Sequence, residues 1–158
     1  MPPSFFASVS LSQTTQIMKK LKINIVITKN NDEGYICSCD YPFKHFDLGG
    51  SGATVEEAKA DCFTFYDEMK EEYPEESFPE LDIQWTYDLP SFFNHFDFLN
   101  ATKVANYAGM SPSNFRHYVA GSKPVTGNQL IKIKQAFERM ANELHKAVLQ
   151  CQFHSLHF

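Results

Sequence analysis

Six polar side chains in one short stretch are the chain's densest set of groups suited to nucleic-acid chemistry: Ser111, Ser113, Asn114, Arg116, His117 and Lys123. Arg and Asn can bond guanine and adenine edges bidentately, which a lone charge cannot do. A serine at a helix start can meet a phosphate alongside the free backbone N–H groups there. Lys123, just after this run, suits a second phosphate. Phe115 and Tyr118 sit three residues apart, so on one helix they share an inner face and leave Ser113, Asn114, Arg116 and His117 pointing outward. The plainer alternative is a small helical bundle whose Arg and His are merely solvated.

Such a set needs a supporting helix, a tight turn and a second helix that presents it. Thr102–Tyr118 (TKVANYAGMSPSNFRHY) supplies the pattern: Val104, Ala105 and Ala108 to pack inward, Gly109 to reverse the chain, and Met110 to plug the corner. Asn100 or Thr102 caps the first helix. Ser111 caps the next, with Pro112 at its first position, and Gly121 ends it. Thr126 and Gln129 read as a capping box opening a long helix with Leu130, Ile133, Phe137, Met140, Leu144 and Val148 on one face. A short aromatic helix is expected over 91–99. The segment resembles the helix-turn-helix of phage-repressor-like (Xre-type) regulators through Val104-Ala105, Gly109-Met110-Ser111 and Gly121-Ser122-Lys123-Pro124.

The preceding residues follow other periods. Lys22–Lys29 alternates Ile23, Ile25 and Ile27 against polar neighbours, as a strand does. A turn cluster ending at Gly34 leads to a second strand over 35–40, giving an antiparallel hairpin. A third strand is expected over 43–48, closed by a Gly49–Gly52 loop. Thr54 and Glu57 form a capping box for a helix with Val55, Ala58, Cys62, Phe65 and Met69 on its inner stripe. Leu81–Tyr87 alternates again as a fourth strand, and 88–91 reads as a short linker.

In this first block Gly34-Tyr35, then Asp40 and Pro42, then Gly52-Ala53-Thr54-Val55-Glu56-Glu57-Ala58 resemble the HicB antitoxin family. The resemblance covers about residues 20–87. It implies a partial RNase H-like domain that blocks a small HicA-type RNA-cleaving toxin, with a C-terminal DNA-binding unit that represses its own operon. The family's usual Pro-Gly-Cys tract is replaced here by Phe43-Lys44-His45-Phe46-Asp47, and an acidic run, 68–80, follows the helix.

The expected fold is therefore an α+β N-terminal domain (β-β-β-α-β, partial RNase H-like) followed by an all-α helix-turn-helix domain. The boundaries are a disordered leader over 1–19, a partner-binding domain over 20–88, a DNA-binding domain over 91–150 and a tail over 151–158. Charge divides the same way. Residues 1–90 carry seven Lys, no Arg and sixteen carboxylates, a net −9, whereas 91–158 carry seven cations and three carboxylates, a net +4. A basic half suits phosphate, and an acidic half suits a cationic partner by electrostatic steering.

Other chemistry is poorly supported. Asp40, Asp47, Glu57 and Asp61 are the candidates for a metal-dependent nuclease, but Glu57 already serves the helix start. Cys37 and Cys39 share a strand face without a second ligand pair, so packing is the simpler role. The tail, Cys151 to His157, is explained as well by a frayed end as by metal binding. No phosphate-binding loop, nucleophile elbow or dinucleotide fingerprint occurs. The expectation is a cytoplasmic, non-enzymatic protein needing no metal or other cofactor and no membrane. Its partners would be operator DNA, a small basic toxin, and its own copies in a homodimer or higher homo-oligomer. The alternative is a stand-alone regulator whose N-terminal domain senses a ligand or protein.

Overall fold

The computed structural model describes residues 20–30 and 34–154 of the chain, with side chains through 147. The expected leader, most of the turn cluster before Gly34 and the side chains of Val148 and the tail lie outside the described residues.

Alternating isoleucines build the first strand. β1, Leu21–Asn30, buries Ile23, Ile25 and Ile27 to 5% exposure or less and turns Lys22 and Lys29 to solvent. It pairs antiparallel with β2, Gly34–Cys39, setting Ile27 opposite Cys37. β3, Gly49–Gly52, adds antiparallel to β2, and β4, Leu81–Tyr87, lies parallel to β1 with Ile25 opposite Trp85. The order β3-β2-β1-β4 gives a four-stranded mixed sheet with β3 and β4 as its free edges. With five helices among the described residues, the molecule is α+β.

The third strand is the glycine run itself, not 43–48. Helix α1, Val55–Glu72, lies so close over β3 that a Cβ on Gly50 would sit 2.4 Å from the Cys62 nitrogen. One on Gly52 would sit 2.5 Å from the Ala58 nitrogen, so these two positions admit only glycine, while Ser51 between them is exposed. Residues 43–48 instead turn aromatic rings inward. Phe43 stacks on Phe46 at 4.7 Å, and Phe46 on Phe78 at 6.0 Å. The Thr54–Glu57 capping box forms as expected. The helix buries Val55, Ala58 and Cys62, then Tyr66 where the stripe predicted Phe65. Tyr66 takes the inner position because its hydroxyl can donate to the Pro79 carbonyl at 2.8 Å.

β4 runs almost directly into the next helix. Asp88 accepts a hydrogen bond from the Ser91 N–H at 2.8 Å and so caps α2, Leu89–His95. The expected linker over 88–91 is thus a cap and a first turn, with Pro90 where a missing N–H costs nothing. Next come α3, Ala101–Tyr107, α4, Pro112–Val119, and α5, Gly127–His154.

A second core gathers Phe93, Val104, Ala105, Phe115, Tyr118 and Ile133. Along α5 the expected stripe holds at Ile133, with Phe137 and Met140 half-buried, but Leu130 is 40% and Leu144 68% exposed. Ala136, three residues on from Ile133, is buried in their place. The two cores are stitched together. The Lys29 N–H donates to Ser91 Oγ at 2.7 Å, and the Tyr35 hydroxyl to Asn94 Oδ1 at 2.8 Å.

Candidate nucleic-acid interface

Helix α3 starts at the Asn100 cap, whose side chain accepts from the Lys103 N–H, and ends at Gly109. Gly109 has φ +65, a left-handed conformation that costs most residues about 1–2 kcal/mol. The reversal lets the Met110 N–H donate back to the Ala105 carbonyl at 2.9 Å. Ser111 is then the N-cap of α4, with extended backbone and no side-chain capping bond, so its hydroxyl is not spent on the helix. A second left-handed glycine, Gly121 at φ +73, ends the unit.

Within α4, Phe115 is 0% and Tyr118 2% exposed. Phe115 meets Phe93 of α2 edge to face at 5.5 Å, which fixes the rotation of α4 about its axis. All six predicted site residues, Ser111, Ser113, Asn114, Arg116, His117 and Lys123, are exposed. Ser113, Arg116 and His117 fall opposite the Phe115–Tyr118 side. Asn114 stands about 100° round from Ser113, toward α5. It lines a small cleft of about 150 Å³ with Ser111, Gln129 and Lys132. Lys132 was missed by sequence reasoning; its place just before the buried Ile133 was the available signal.

Two contacts order the end of the unit. His117 Nδ1 lies 3.1 Å from Ser122 Oγ, and Lys123 Nζ lies 5.6 Å from the centre of the Tyr118 ring. Among the described residues, ion pairs involve Lys20, Lys44, His45 and Lys70, so Arg116, Lys123 and Lys132 carry charge that no carboxylate neutralises. Exposed, unpaired cations suit phosphate.

Several residues of the other candidate sets have structural roles, whereas Asp40 and Asp47 are exposed. Cys37 and Cys62 are each 1% exposed, and burial pushes the Cys62 thiol up to about 12, leaving it a neutral packing group at ordinary pH. Burial likewise raises Cys39. Among the described residues no three His, Cys, Asp or Glu side chains gather as a metal site would need. Glu57 is held in its capping box, and Asp61 accepts from the Ser51 N–H at 2.8 Å. In the acidic run, hydrogen bonds from Lys44 and then His45 hold the Glu76 carboxyl below its usual range.

No family model matches the chain, and no curated protein or solved structure matches it. Among the described residues, no helix is long and apolar enough to cross a membrane.

Proposed function

We propose that this chain is a cytoplasmic, non-enzymatic, antitoxin-like transcriptional regulator. In this reading α3, the Gly109 turn and α4 form a helix-turn-helix that binds operator DNA. The block over 20–88, partial RNase H-like in the family it resembles, binds a small basic HicA-type RNA-cleaving toxin. One observation carries the DNA half: Phe115 and Tyr118 are locked inward while Ser113, Arg116 and His117 share the opposite, exposed side. A short helix fixed at that rotation offers one polar side to a groove, with Lys123 and Lys132 at its margins for phosphates.

The partner half rests on the HicB-like motifs and on the net −9 of residues 1–90, which steers a cationic protein toward this block. Two half-sites need two copies, and α5 supplies a surface for pairing, with Ile131 54% and Leu144 68% exposed.

Selection from random duplexes with the full chain tests the DNA half. Enrichment of an inverted repeat that Arg116→Ala fails to enrich is the expected result, and no enrichment contradicts it. Co-expression with any small basic reading frame found beside its gene tests the partner half. A stable complex supports the antitoxin, and purification without it favours a stand-alone regulator.

A further inference from the structure

A cleft of about 430 Å³ runs between the free edge of β4 and the first half of α5. Four successive residues of β4, Gln84 to Tyr87, line it, which a strand can do only along an open edge. The opposite wall is apolar: Phe92 of α2, then Leu130, Ile133 and Phe137 of α5. Phe92 and Phe137 pack at 5.0 Å, so this wall is firm. Leu130, 40% exposed, stands at its lip, an apolar side chain with nothing over it among the described residues.

The volume falls within the range of small-molecule sites, about 300–1,000 Å³, which are apolar pockets with a few polar groups fixing orientation. The polar side chains along it include Lys134, Gln84 and Thr86, and the Thr86 hydroxyl already donates to the Ile25 carbonyl at 3.4 Å. Among the described residues Lys134 makes no ion pair and no hydrogen bond, so its charge is available. A cation at the rim of an apolar cleft selects a ligand with one negative charge and an apolar body.

We propose that this cleft binds a small apolar monocarboxylic acid. Its carboxylate meets Lys134 and the Gln84 amide, and its body lies against Phe92, Leu130 and Phe137. The site joins an edge of the first core to a helix of the second, so an occupant ties the two together. Neither DNA binding nor toxin binding is needed for it.

The chain's single tryptophan, Trp85, also lines the cleft, with its ring against Phe63 and Lys59 of α1, and serves as the probe. The test is fluorescence of the full-length protein titrated with octanoate, with 1-octanol as the uncharged match and with the exposed-site variant Lys134→Gln. The expected result is a saturable change with octanoate, about tenfold weaker in Lys134→Gln, and weaker binding of octanol that the variant leaves unchanged. Three results overturn it: no saturable change, equal affinity for octanoate and octanol, or a variant that binds octanoate like the parent.

Discussion

The Tyr118 hydroxyl accepts a 2.6 Å hydrogen bond from the Gln129 side-chain amide, tying the inner side of α4 to the start of α5. The same amide's oxygen accepts from the Thr126 N–H at 3.0 Å, so one side chain both caps α5 and holds α4 in place. Tyr118→Phe keeps the ring and removes only the acceptor. It is expected to lower stability by about 1 kcal/mol, read from the urea midpoint at constant m. An unchanged midpoint would mean this bond does not help fix α4.

The glycines separate two kinds of constraint. At Gly50 the difficulty is backbone contact with α1, and at Gly109 it is the φ of +65 with nothing within 4 Å of a new Cβ. Gly50→Ala should therefore cost about 3 kcal/mol, by forcing helix and strand apart. Gly109→Ala should cost about 1–2 kcal/mol, from local strain alone. Thermal unfolding of both variants gives the order, and a costlier Gly109→Ala would contradict the packing described for β3.

Cys62 links pH to stability. Its thiol is raised to about 12 by burial, whereas in the unfolded chain it ionises near the ordinary value of 9. Between these values the unfolded state binds fewer protons than the folded state, so stability falls as pH rises through that window and is retained below it. Cys62→Ala should flatten this slope in urea titrations above pH 9. Peptide mapping after iodoacetamide treatment at pH 8 should find Cys62 unmodified until the protein unfolds. Labelling of the native protein there would contradict its burial.

Much of the fold was legible because its signals are local. The Ile23-Ile25-Ile27 alternation, the Thr54–Glu57 box and the Gly109 and Gly121 stops act over a few residues, and each appears where the chain predicts it. The third strand was not legible. What makes Gly49–Gly52 a strand is the backbone of α1 lying above it, a contact between distant segments that no local pattern records. Tyr66 displaced Phe65 for a similar reason, since its partner, the Pro79 carbonyl, comes from beyond the helix. The expected linker failed because Asp88 is equally a turn residue and a cap. At the candidate interface the exposure of Arg116 and His117 followed from spacing. The approach of Lys132 to Asn114 depends on how α5 crosses α4, which spacing within one helix does not reveal.

The most direct test of the DNA reading is a binding series on the duplex selected by the parent, across increasing salt, with Arg116→Ala and Lys123→Ala alongside. Arg116→Ala should lose on the order of 1–3 kcal/mol and much of its preference over scrambled duplex. Lys123→Ala should weaken all duplexes similarly and flatten the salt dependence by about one unit of slope. If both variants bind and discriminate like the parent, the exposed side of α4 is not where DNA sits.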